Sequence, residues 1–154
     1  MTRNNIIVRA AAESDSTRLA EIESLSAEQP WSEAQILEEF SHPFALVLAA
    51  DLDGVTVGML DMHVTDITYI NEISVDPAYR RLGAGRALVY EALRIGAEKG
   101  TDRAVLDVRS GNSAARALYE SIGFRQLCVR KGMYRSPDDD GVTYEMALPV
   151  PEGI

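Results

Sequence analysis

The chain carries one cysteine, Cys128, and two histidines, His42 and His63, in 154 residues. A lone cysteine excludes an internal disulfide, and the three residues show no zinc-ligand spacing, so no metal is expected. Long apolar runs are missing too. The longest, Phe44 to Ala50, is far too short to span a bilayer. The opening stretch MTRNNIIVRA lacks the apolar core of a secretory signal. A cytoplasmic protein without a membrane partner is expected. Positive charge is scarce: 15 Lys and Arg face 24 Asp and Glu, a formal charge of −9. That argues against a nucleic-acid-binding surface, which needs a basic patch, and suits a cationic substrate.

What is present reads as one domain, residues 1–154 with a core over about 6–148. Apolar content of 46% is ordinary for a globular chain. The periodicity predicts strands over 6–10, 44–51, 55–66, 67–76, 103–109, 125–134 and 143–148. It predicts helices over 15–26, 30–40, 84–99 and 113–122. In the first helix Leu19, Ile22 and Leu25 recur at helical spacing. Ser32 and Gln35 form a capping-box pattern, and Trp31 with Ile36 a hydrophobic staple. Asp53-Gly54 marks a hairpin. Val89, Ala92, Leu93 and Gly96 give the third helix an apolar face that Gly100 ends. Gly123 ends the fourth. An acidic turn, 137–141, separates the last two strands. The order βααβββαβαββ predicts an α/β (α+β) protein, one mixed sheet with about four helices packed on it.

The stretch RRLGAG, Arg80-Arg81-Leu82-Gly83-Ala84-Gly85, joins a strand to a helix. A helix N-terminus offers unpaired amides and partial positive charge, an anion site. Glycines let backbone approach a ligand, and arginines add bidentate donors. The pattern therefore reads as a diphosphate cradle, against the plainer reading of a glycine turn with solvated arginines. It is not a P-loop, because Gly85 is followed by Arg86-Ala87 rather than Lys-Ser/Thr. It is not a dinucleotide fingerprint, because Leu88 stands where a third glycine belongs.

ISVDPAYRRLGAGRALV resembles the acetyl-coenzyme A motif of the GNAT acetyltransferase superfamily, Arg/Gln-x-x-Gly-x-Gly/Ala, with Arg80, Gly83 and Gly85 in the marked positions. LDVRSGNSAARALYESIGF over 106–124, PWSE at 30–33 and RKGMY at 130–134 resemble the RimI-type branch. That branch acetylates the N-terminal alanine of a ribosomal protein. The resemblance implies a mostly antiparallel sheet splayed between strands 67–76 and 103–109. Pantetheine would lie in the gap against the backbone of Ile73, Ser74 and Val75, and the pyrophosphate on amides of the 80–85 loop. Asn112 would touch the coenzyme, unless it serves only as a cap in its turn. Acetyl-coenzyme A is the implied co-substrate, and the partner a ribosomal protein N-terminus. A monomer or weak homodimer is expected.

Acetylating an amine requires a neutral amine and a leaving thiolate that gains a proton. Tyr119 matches the family's tyrosine as donor, or is simply a packed tyrosine. Asp107 stands where the branch carries glutamate. It is the base, or it pairs with a cation such as Arg109 or Arg130. Glu72 is the second candidate acid. Tyr134 matches a tyrosine lining the peptide groove, and Trp31 borders the same groove or acts as the staple. The acidic turn Asp138-Asp139-Asp140 attracts a cationic N-terminus or is a solvated tip. Two other acceptor classes stay open: a small amine such as an amino acid, polyamine or antibiotic, and no acceptor at all in a coenzyme-binding module.

Overall fold

A computed structural model describes residues 5–151. The chain runs β1 (Ile6–Ala10), α1 (Ser16–Ser26), α2 (Glu33–Ser41), β2 (Ala45–Leu52), β3 (Val55–Val64), β4 (Thr68–Val75), α3 (Ala84–Glu98), β5 (Arg103–Arg109), α4 (Ser113–Ile122), β6 (Arg125–Tyr134) and β7 (Asp139–Ala147), with short 3-10 turns before α1 and α3. The seven strands form one mixed sheet in the order β1-β2-β3-β4-β5-β7-β6. Among the paired neighbours β4 and β5 alone run parallel. This is the mixed, mostly antiparallel sheet with four helices that the sequence predicts. No described helix is long and apolar enough to cross a membrane.

One face of the sheet packs on α3 and α4. Leu88, Val89, Ala92 and Leu93 of α3 are fully buried there with Leu60, Met62, Leu106 and Tyr144. Gly96 is required on that face, because a Cβ would come within 2.1 Å of Thr68 Oγ1. The other face packs on α1 and α2 through Leu19, Ile22, Ile36, Val47 and Met59, with Trp31 against the cluster. Ser32 caps α2 by accepting from the Gln35 amide at 3.1 Å while Gln35 Oε1 accepts from the Ser32 amide at 2.8 Å, the capping box in full.

Two expectations change. Leu25 is 54% exposed. The buried stripe of α1 runs Leu19, Ile22 and Glu23, and Leu25 lies about 120° round from it at 3.6 residues per turn. The acidic turn is shorter than the sequence implies, because β7 begins at Asp139 and pairs it with Tyr134. Asp140 accepts from the Gly132 amide and Lys131, and Asp139 from the Gly111 amide, so two of the three acids are tied to local chain rather than offered at a tip.

The parallel ladder stops early. β4 meets β5 over Thr68↔Ala104, Tyr69↔Val105 and Ile70↔Leu106, and no further. On its other side β4 stays paired to β3, with Ile73↔Leu60, Ser74↔Met59 and Val75↔Gly58. The strands therefore splay as the resemblance implies.

Candidate active site

The splay is prepared by a bulge. The β3–β4 register passes from Met62↔Ile70 to Asp61↔Glu72, so Asn71 is the extra residue. Side chains alternate along a strand, so Tyr69 and Glu72, three apart, would otherwise face opposite ways. The bulge puts both on the α1/α2 face, opposite His63 and Asp61. Asp107, in register two residues beyond Val105, joins them across the gap.

Here an open cavity of about 350 Å³ is lined by Trp31, Glu39, His63, Tyr69, Asn71, Asp107, Met133 and Tyr134. Three residues singled out in the sequence, Asp107, Trp31 and Tyr134, meet in it. Asp107 is held on both oxygens: Tyr69 Oη donates to Oδ2 and Thr143 Oγ1 to Oδ1. Arg130 Nε lies 3.7 Å from Oδ1, on a side chain that is 58% exposed. Arg109 is elsewhere. It donates to the carbonyls of Arg135 and Pro137, and its guanidinium covers the Tyr134 ring at 4.7 Å. Of the two cations expected near Asp107, only Arg130 is there. Burial, and after it the charge of Asp107, pushes the Tyr134 hydroxyl above its usual pKa.

Tyr119 is 4% exposed, edge-on to Phe124 at 5.9 Å and tilted to Tyr144 at 6.3 Å. Burial, then the nearby Glu72, raises its phenol above the usual range. Glu72 is pushed up to about 9, first by burial and next by Glu23. Glu23 is fully buried; it accepts from the Trp31 amide at 2.9 Å and from Ser74 Oγ. A carboxyl so placed is protonated near neutrality, which suits donating a proton rather than accepting one.

At the C-terminal end of β4 the chain builds a different surface. Asp76 accepts from the Ala78 amide at 3.0 Å and from Arg18 at 2.8 Å, fixing the turn. Arg81 and Gly83 then take left-handed backbone, φ 65° and 95°. Gly83 is the N-cap of α3 and supplies no side-chain cap. The first amides of α3, from Ala84, Gly85 and Arg86, are left to whatever binds there. Arg80, Arg81, Leu82 and Arg86 are exposed around them, and Arg86 donates to Ser121 Oγ at 2.8 Å. A bare, positive helix end beside a half-paired strand edge fits an anionic ligand with an amide-bearing arm. Ile73, Ser74 and Val75 form that edge. Asn112 caps α4 by accepting from the Ala115 amide at 3.2 Å, which leaves its side-chain NH2 for a ligand.

Tyr69, Asn71, Glu39 and Thr143 carry no signal in the sequence, where His63 counts only as a histidine without zinc-ligand spacing and Met133 only as part of RKGMY. Tyr69 is hidden by the bulge, since simple alternation from Glu72 puts it on the wrong face. Glu39 and His63 come from α2 and β3, with no local pattern to flag them.

The family model described as the acetyltransferase (GNAT) family matches residues 14–124. N-alpha-acetyltransferase RimI of Mycobacterium tuberculosis is 32% identical over 145 residues, 90% of each chain. The [ribosomal protein bS18]-alanine N-acetyltransferase of Escherichia coli K12 is 31% identical over 121 residues, 79% of this chain and 82% of that one. The crystal structure of the ribosomal-protein-S18-alanine N-acetyltransferase from Escherichia coli superposes with a TM-score of 0.86 at 26% identity, covering 97% of this chain and 99% of its own.

Proposed function

Because the chain belongs to the acetyltransferase (GNAT) family and is an acetyl-coenzyme A-dependent N-acetyltransferase, we propose that its acceptor is a protein N-terminal α-amine. The favoured acceptor is the N-terminal alanine of a ribosomal protein, modified in the cytoplasm by the chain acting as one domain. The observation that carries this reading is the Asp107 carboxylate in an open, aromatic-walled cavity beside the splayed edge of β4. Trp31, Tyr69 and Tyr134 give an extended peptide three flat surfaces. The names of the relatives at 31–32% identity support the same acceptor.

Acetyl-coenzyme A supplies a thioester: the ammonium first gives one proton to the base, the neutral amine then gains an N–C bond as the C–S bond breaks, and the second proton lost from nitrogen balances the one that sulfur takes up from Glu72 or solvent. Ile73, Ser74 and Val75 would hold the pantetheine arm, and Arg80 to Arg86 with Asn112 the phosphates. An α-amine has a pKa of about 8 and is mostly protonated at neutral pH. Asp107, directly or through a water, removes that proton, a role worth roughly 10²–10⁴-fold. Tyr69 and Thr143 fix which way its oxygens point. Tyr119 serves the sulfur. A phenol at about 10 is already a weaker acid than a thiol at about 8.5, and burial weakens it further, so Tyr119 hydrogen-bonds the thiolate rather than surrendering its proton. Glu72, protonated near neutrality, is a second donor at the same gap and not a second base.

Thiol release with a panel of peptides and small amines tests the acceptor. Alanine-starting peptides should outrun amino acids, polyamines and aminoglycosides. Tyr134→Ala should raise the peptide KM severalfold and leave coenzyme affinity unchanged. If every small amine is acetylated faster than every peptide, the peptide acceptor is wrong and only family membership stands.

A further inference from the structure

Asp61 is the most deeply placed acid on the α1/α2 face. It is 0% exposed, and its Oδ1 has no hydrogen-bond partner. Its Oδ2 accepts from Asn71 Nδ2 at 3.0 Å and lies 3.6 Å from His63 Nε2. His63 Nε2 is in turn 2.6 Å from Glu39 Oε1. One donor atom from each of Glu39, Asp61 and His63 falls within 4.8 Å of the others. The acetyl-transfer steps proposed above give none of the three a role. We propose that Glu39, Asp61 and His63 bind one divalent transition-metal ion of the zinc class at the wall of the acceptor cavity.

A buried carboxylate oxygen without a partner calls for a cation or a proton. Among the described residues no lysine or arginine reaches Asp61; its one basic neighbour is His63. Two carboxylates and one imidazole neutralise a divalent ion and leave one position open in a four-coordinate site. Bonds of about 2.0–2.2 Å set neighbouring ligand atoms roughly 3.4 Å apart in a tetrahedron, close to the 3.6 Å between Asp61 and His63. The shorter Glu39–His63 contact has only to open, and Glu39 sits on a helix surface with a side chain 15% exposed. Asn71 orients Asp61 from outside, as second partners of metal ligands do. The mixed nitrogen and oxygen set favours zinc, cobalt or manganese over magnesium and calcium. Glu39 and His63 line the cavity, so the ion has a way in.

The rival occupant is a proton shared by Asp61 and Glu39. Cobalt(II) and zinc titrations of the chelator-stripped chain separate the two. One equivalent should bind, with a visible cobalt spectrum free of the thiolate charge-transfer band that a site at exposed Cys128 would give. His63→Ala and Glu39→Gln, each at a partly exposed position, should weaken binding by about tenfold or more while circular dichroism stays native. Asp61→Asn should do the same if it folds. No stoichiometric binding, or binding that both surface variants leave intact, would overturn the metal site and leave the shared proton. Neither result bears on the acceptor, which the peptide panel decides.

Discussion

The C-terminal end of β4 presents main chain to a ligand, while the bulged middle of the same strand presents side chains. The first surface needs a left-handed Gly83, an uncapped α3 and a half-paired strand edge. Apart from Asn112 at the start of α4, its components lie within residues 73–86. The second draws Trp31 and Glu39 from around α2, His63 from β3, Tyr69 and Asn71 from β4, Asp107 from β5 and Tyr134 from β6. A surface of amides has nothing to titrate and tolerates change in the side chains around it. A surface of acids and phenols sets its own protonation states. Coenzyme recognition and acceptor chemistry should therefore fail separately.

The largest expected effect tests the side-chain end. Asp107→Asn should lower kcat/KM by roughly 10²-fold or more at neutral pH, with coenzyme affinity retained. Asp107→Glu, which restores the longer acid of the family branch, should keep substantial activity. Thermal melts must accompany the kinetics, because the Asn variant also loses the charge beside Arg130 and one acceptor for Tyr69 or Thr143. A folded Asp107→Asn enzyme with a wild-type pH–rate profile removes Asp107 from the reaction.

The main-chain end should respond to Gly83→Val. A Cβ there meets only Ile6 Cδ1, at an ordinary 3.6 Å. The penalty is conformational: φ 95° is left-handed, which costs an L-residue about 1–2 kcal/mol, and a branched side chain more. Coenzyme affinity by calorimetry should fall about tenfold or further. Arg80→Ala should cost less and in a salt-dependent way, since the amides remain. Equal losses from the two would mean that charge, not backbone, makes that site.

A last test, read in stability rather than turnover, concerns Glu72. Its carboxyl is held at about 9 against an ordinary 4.5. The stability it contributes is whole below the ordinary value and is lost as pH rises toward 9. Glu72→Gln should therefore melt like wild type near pH 5 and progressively above it from pH 6 to 9. A flat difference across that range would mean Glu72 is already ionised in the fold.

The contrast also decides what could be read in advance. The order of elements, the α2 capping box and the glycine-bearing turn from β4 into α3 are local patterns, and the structure repeats them. Leu25 misled because it continues the apolar spacing of Leu19 and Ile22, whereas Glu23 is the residue turned inside, where the Trp31 amide and Ser74 Oγ donate to it. β7 starts four residues early because Asp139 and Asp140 accept from the Gly111 and Gly132 amides, turning polar residues into strand ends. The cavity beside the bulge was half visible. Asp107 stood out as an acid between Leu106 and Val108, while Tyr69, Glu39 and His63 needed the bulge and the α2 crossing to arrive. A one-residue insertion in a ladder leaves no mark on composition or period.

Three residue pairs are all the ladder that joins β4 to β5. Mechanically, the sheet is two panels, β1 to β4 and β5-β7-β6, joined by a short seam and by the helices that lie over it. A ligand whose amides occupy the rest of the seam stands in for missing ladder. It adds rungs where the chain has none, and by mass action it stabilises the joined panels more as its concentration rises. A substrate seated there as proposed is, for the duration of its stay, a structural part of the sheet.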